Sequence, residues 1–274
     1  MKKEWCDSMQ TNAMLRRRTF QLFWQNRGML WRISFLFASV NLLWYAVKTY
    51  LIGNDLPEII YQLVTIPVMI LGFYHLLLHL TKGKDARWSM LFDFVKSPKL
   101  LPKVLAVGLI WQIPAFIVHF SSLFGMPTIH QQELAIFVLV VTIVIVLLIS
   151  WIELRLFLVP YLFVTSPQES VPEMMKSSFR MMKGQVRHLL WYGITVYWWG
   201  FALLIVALLV FPSLSLTNTS VSGQLIRQVV LPLIMALINP YFSLSLAGFA
   251  SRLLPSAKQE KRAWRKEMRA ERNA

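Results

Sequence analysis

His75 and His79 stand four residues apart in an apolar stretch, GFYHLLLHL, so on a helix both imidazoles share one side and could hold a metal ion together. That would be half of a di-metal oxygenase site. The remaining ligands are not supplied: His119, His130 and His188 are scattered, and there is neither an HxxHH pattern nor a matching set of carboxylates. The alternative for His75 and His79 is packing near the end of a helix, and no metal is assigned. Glu153 and Arg155 are a charged pair inside another apolar run. A charge at the centre of a bilayer costs about 2.5–3.5 kcal/mol on insertion scales, so it usually faces a bundle interior with a partner. Two apart on a helix, these two side chains diverge and do not pair with each other. Two depths are open: the inner interface, where Arg155 extends its head to water, or the membrane interior.

The next stretch, Arg155 to His188, reads RLFLVPYLFVTSPQESVPEMMKSSFRMMKGQVRH. Ser170 and Glu173 form an S-x-x-E capping box, which satisfies N–H groups orphaned at a helix start. Gly184 stands where a left-handed residue would end that helix. At about 100° per residue, Val171, Met174, Met175, Ser178, Phe179 and Met182 share one face, and Lys176, Arg180, Lys183 and Arg187 share the opposite one. The apolar face can pack on neighbouring helices while the basic stripe is merely solvated. Alternatively, the stripe is a docking surface for anionic lipid or an acidic protein. Because it points away from its own apolar side, a protein partner fits it better than lipid.

Other catalytic signatures are missing: there is no G-x-S-x-G, H-E-x-x-H or phosphate-binding loop, nor the paired acidic motif of membrane proteases. A lipid-modifying enzyme would have only His75, His79, Glu153 and Arg155 to work with. No catalytic residue, cofactor or metal is therefore predicted, and the chain reads as non-enzymatic.

The elements that must position these residues follow from composition. With 274 residues, 56% of them hydrophobic, and a mean hydropathy of +0.53, the chain is too apolar for an ordinary soluble domain. The expected class is all-α, a polytopic membrane bundle of about six spans with interfacial elbow helices. A formal charge of +15 could suggest nucleic acid, but the basic residues flank the apolar stretches, as topology determinants do. No nucleic-acid partner is expected. Cys6 is the one cysteine, which excludes an internal disulfide.

Residues 1–28 carry Arg16, Arg17 and Arg18 beside Phe20, Phe23 and Trp24, suiting an interfacial helix. A membrane domain over 29–254 and a basic tail over 255–274 follow. Spans are expected near 29–50, 59–80, 104–124, from 134, 189–211 and 229–254. Pro114 would kink the third, and Trp88 to Phe94 would form a second elbow. The fourth run continues to Ser166-Pro167. At about 50 Å it exceeds the roughly 30 Å hydrocarbon core, so it must tilt, break near Pro160 or project beyond the membrane. With six spans, every Lys and Arg except Lys48 and Arg227 falls on one side, which places both termini in the cytoplasm.

Arg155, Val159-Pro160-Tyr161, Ser166-Pro167, Ser178, Met182 and Gly184 also carry a resemblance. Their order and spacing resemble a bacterial group of multi-pass proteins, a domain of unknown function related to the membrane domain of glycerophosphoryl diester phosphodiesterases. The likeness extends to the Trp88–Phe94 elbow and to Pro240-Tyr241. Ser166 stands where the group usually has Asp. No phosphodiesterase catalytic domain is attached, so the resemblance implies six helices and a role in the cell envelope rather than hydrolysis. The expected function is support of, or assembly with, envelope or transport machinery. The second reading is a transporter component that docks an ATPase through helix 170–184. Against it, the E-A-A-x-x-x-G pattern of such coupling helices fails, with Phe179 or Met175 at the glycine place.

Overall fold

The structure, a computed structural model, describes residues 2–47, 61–94, 96–97, 99–110, 144, 147–210 and 221–254. Lys48, Pro114, His119, His130, the start of the fourth run and the basic tail lie outside these residues. The described residues are helical, with no strand among them.

The first helix, α1 (Lys2–Val47), is a single unbroken rod of 46 residues, about 69 Å long. An interfacial helix ending at residue 28 is expected from the sequence, but no break occurs there. Gly28 alone costs about 1 kcal/mol in a helix, no proline stands near it, and the Asn26 side chain donates back to the Leu22 carbonyl at 3.0 Å within the helix rather than capping a new one. The Arg-rich beginning and the apolar stretch after it therefore share one axis. Asn12, Thr19, Phe23, Leu30, Ile33 and Ser34 form the buried face of this rod.

That face lies along α8 (Val221–Leu253), which runs antiparallel to it. Leu15 and Thr19 approach Gly248, the Phe23 ring packs 5.7 Å from Tyr241, and Trp31 Nε1 donates to the Leu237 carbonyl at 3.3 Å. Helix α8 begins ahead of the expected start at Val229 and contains Pro232 and Pro240.

Between these two rods lie the shorter elements. A π-helical turn, Tyr61–Thr65, leads into α2 (Ile66–Thr81), whose Pro67 sits in the first turn, where a missing N–H is harmless. A 3-10 turn, Trp88–Phe92, matches the second elbow and folds back on α2. The contact is so close that a side chain on Gly72 would collide with the Leu91 backbone. Next come α3 (Leu101–Ile110) and α4 (147–156). A turn at 157–158 separates α4 from α5 (Val159–Thr165), so the long fourth run does break beside Pro160. Then follow α6 (Val171–Met181) and α7 (Val186–Val210).

The core gathers at the elbow end of the bundle. Leu76 and Leu77 of α2, Leu158 and Phe163 around the break, Met174 and Met182, Tyr192, and Phe249 are all buried there in one cluster. Two helical stretches, Leu147–Thr165 and Pro232–Leu253, are long and apolar enough to cross a membrane, which weakly suggests a membrane location.

Candidate functional site

The elbow is built around the break in the fourth run. Pro160 has no N–H to give the Leu156 carbonyl, and its ring crowds the preceding turn, so the helix stops. Such a stop leaves backbone groups without partners, and here a side chain from α6 takes them. The fully buried Ser178 hydroxyl donates to the Arg155 carbonyl at 2.7 Å and accepts from the Leu158 N–H at 3.3 Å. The helix resumes at once, with Leu162 N–H donating to the Leu158 carbonyl at 2.8 Å. Ser178 thus splints the break from the far side of the elbow. On sequence alone it counts as a small member of an apolar face. The available signal was that a hydroxyl buried among Met and Phe must find a partner.

A second restraint comes from farther away. Lys103, near the start of α3, donates from Nζ to the carbonyls of Pro167, Gln168 and Glu169, each at 3.1 Å. One ammonium with three N–H donors holds three consecutive carbonyls, which fixes the turn leading into α6. The third restraint is the capping box. Ser170 donates to Glu173 Oε2 from its N–H at 3.0 Å and from its hydroxyl at 2.8 Å. These bonds hold the exposed Glu173 carboxyl below the usual carboxylate range. At the other end Gly184 takes φ +80°, the left-handed geometry expected of it, and Gln185 N–H donates to the Met182 carbonyl at 3.0 Å.

Along α6 the two faces follow the helical period: Met174 and Ser178 are buried with Val171, Met175 and Phe179 half-buried beside them, and Lys176 and Arg180 are exposed. The helix ends at Met181, however, so the buried Met182 and the exposed Lys183 lie in the turn that follows, and the exposed Arg187 belongs to α7 beyond the left-handed Gly184. The four cations thus do not form the stripe on a single helix that the sequence suggests.

The other candidates are placed as follows. Glu153 and Arg155 form no ion pair with each other. The Arg155 guanidinium lies 4.7 Å over the Trp151 ring, and its buried Nε has no hydrogen-bond partner. The His75 and His79 rings are perpendicular at 4.8 Å. His75 packs against Phe94 of the second elbow, with Nδ1 3.9 Å from Asp93 Oδ2, beyond hydrogen-bond range. Asp93 is engaged by Lys96 at 2.8 Å. Among the described residues, no group of three or more His, Cys, Asp or Glu is arranged to hold a metal.

One feature of the bundle has no counterpart in the sequence reading. A cavity of about 570 Å³ lies between α1, α2, α7 and α8, lined by Ser34, Asn41, Tyr74, Tyr197, Asn239 and Ser243 among apolar residues. Among the described residues, no charged side chain lines it. Asn41 donates to the Phe37 carbonyl at 2.9 Å and accepts from the Tyr61 hydroxyl at 2.6 Å. Ala236, also in the lining, is the residue whose carbonyl receives no helical N–H, because Pro240 stands four positions on.

No protein family, no curated protein and no solved structure matches this chain.

Proposed function

We propose that the chain is a multi-pass protein of the bacterial cytoplasmic membrane. In this reading it acts without catalysis, assembling with envelope or transport machinery through α6. The membrane part is supported by apolar side chains on the outside of the helices. Leu147, Leu148 and Trp151 on α4, Leu190 and Ile194 on α7, and Leu237 on α8 are exposed. In water such a band would be an aggregation liability, whereas lipid covers it. Six spans with both termini in the cytoplasm follow from the charge distribution, which puts the elbow on the cytoplasmic side. An inner-interface depth for Arg155 is part of this reading, supported by the bond that the elbow's Ser178 gives its carbonyl. Membership of the group that the elbow resembles is part of this proposal.

The observation that carries the assembly reading is the division of labour within α6. Its apolar face is used up in packing and in the splint, whereas Lys176 and Arg180 on its other side, Lys183 in the turn that follows and Arg187 at the start of α7 are exposed. Three restraints hold that surface in place: Lys103, the capping box and Ser178. A pre-set charged surface loses little freedom on binding, which favours recognition of an acidic protein surface. Crosslinking and affinity purification from native membranes tests this, comparing wild type with Lys176→Gln, Arg180→Gln, Lys183→Gln and Arg187→Gln combined. Loss of a co-purifying protein is expected. Equal co-purification and an unchanged phenotype would refute it.

The cavity favours a second reading, a transport component. A polar-lined space inside a membrane bundle, beside a helix containing two prolines, is where such proteins bind uncharged polar solutes. Uptake by proteoliposomes that Asn41→Leu and Asn239→Leu abolish would promote this reading. Identification of a partner ATPase would join the two.

A further inference from the structure

A different cluster forms where three elements end together. A cleft of about 490 Å³ opens between α1, the C-terminal end of α2 and the C-terminal end of α8. Leu15 and Gly248 form its floor, and Arg18, Lys82 and Arg252 stand around it. All three cations are exposed. Among the described residues, no acidic side chain lines the cleft and no carboxylate pairs with any of the three.

A simpler role accounts for part of this arrangement. Cations near helix C-termini offset the partial negative charge of the last carbonyls, and Arg18 Nη2 donates to the Thr81 carbonyl at 3.2 Å. One contact uses one of five guanidinium donors, however, leaving the rest of Arg18 with Lys82 and Arg252 around an open space. The hydroxyls of Thr81 and Ser251 donate to Leu78 and Gly248 carbonyls at 3.0 and 2.8 Å, so the cleft's available donors are the cations. Three cations converging on one concavity with an apolar floor match a dispersed negative charge attached to something apolar.

We infer that this cleft binds the phosphodiester headgroup of an anionic phospholipid of the inner leaflet. The inference rests on the membrane orientation proposed above, which puts the ends of α2 and α8 at the cytoplasmic interface. It does not rest on the docking role of α6. Arg18 supplies a forked donor for two phosphate oxygens, and Lys82 and Arg252 supply the balancing charge from the other two helices. The lipid would tie together α1, α2 and α8, which meet at this point.

The test is retention of lipid by the purified full-length protein, read by native mass spectrometry, with phosphatidylglycerol, phosphatidylcholine and inorganic phosphate as probes. Phosphatidylglycerol is expected to remain bound and to raise the melting temperature, and the other two are expected to do neither. Arg18→Gln, Lys82→Gln and Arg252→Gln should each weaken retention about fivefold, as one interfacial charge is worth. Lys99→Gln, which removes one exposed charge outside the cleft, serves as the charge-matched control and should retain lipid as wild type does. Equal retention of phosphatidylcholine, or undiminished retention by the three cleft variants, overturns the inference. Stabilisation by inorganic phosphate equal to that by phosphatidylglycerol also overturns it, in favour of a free-phosphate site. If Arg18→Gln impairs folding through loss of its bond to Thr81, Lys82→Gln and Arg252→Gln suffice, because both side chains are exposed and outside the core. Alkaline extraction of membranes tests the membrane reading separately, since it releases the chain only if that reading is wrong.

Discussion

Replacing Ser178 by alanine removes one hydroxyl and almost no volume, so its effect isolates the splint across the break between α4 and α5. The Arg155 carbonyl and the Leu158 N–H both lose their partner. A buried polar group left unsatisfied costs about 1–3 kcal/mol. Leu158 is fully buried and Arg155 half-buried, so Ser178→Ala should destabilise the protein by about 2–4 kcal/mol. For a chain of this size that is a fall of roughly 5–15 °C in melting temperature. The assay is thermal unfolding of the detergent-purified protein, followed by tryptophan fluorescence at several scan rates. The neighbouring Ser177→Ala is the control. Ser177 sits half-buried on the same helix and does not bond the break, and its loss should stay within about 0.5 kcal/mol. If the two variants melt together, the hydroxyl is not holding the break, and the account of the elbow as a splinted joint is wrong.

Gly184→Ala forces a side chain into left-handed geometry at φ +80° and should cost about 1–2 kcal/mol, with Gly184→Asn costing less, both read by the same melts. Lys103→Met frees the three carbonyls of residues 167–169, so amide hydrogen exchange should accelerate through that turn and the first turn of α6 while α8 is unaffected. The Glu173 carboxyl is lowered by its bonds from Ser170, so its contribution is fully present above the unfolded carboxyl value of about 4.3 and is lost as pH falls through the lower folded value. Stability measured downward from pH 5 should therefore drop more in wild type than in Glu173→Gln, and parallel profiles would refute the capping role. Gly72→Val drives a side chain into the Leu91 backbone and should destabilise by about 1–3 kcal/mol, read by the same melts.

The features legible in the sequence are those set by local spacing. The capping box at Ser170 and Glu173, the left-handed Gly184, the two faces of α6 and the break at Pro160 each depend on residues within a few positions of one another. The features that were not legible depend on distant partners. Ser178 can be read as a splint only once the elbow is known to fold back on a break 20 residues earlier. Lys103 gives no local hint that it will grip carbonyls 64 to 66 residues on. The cleft is more diffuse still, since Arg18, Lys82 and Arg252 each look like ordinary flanking charges until the ends of three elements meet. The unbroken α1 was missed for the opposite reason. A change in composition at residue 28 suggests a boundary, but composition does not end a helix unless some residue also disrupts its backbone bonds.

The pairing of α1 with α8 sets a timetable for biogenesis. Trp31 and the Leu237 carbonyl that it contacts are 206 residues apart. At ordinary synthesis rates of about 5–20 residues per second, α1 waits roughly 10–40 s after its own synthesis for that partner. During that interval the polar Asn12, Thr19 and Ser34 on its inner face have no α8 to cover them. Nascent chains stalled before α8 would therefore present an exposed polar stripe, the kind of surface that membrane chaperones and proteases recognise. An intact α8 is then the signal that releases the chain from surveillance.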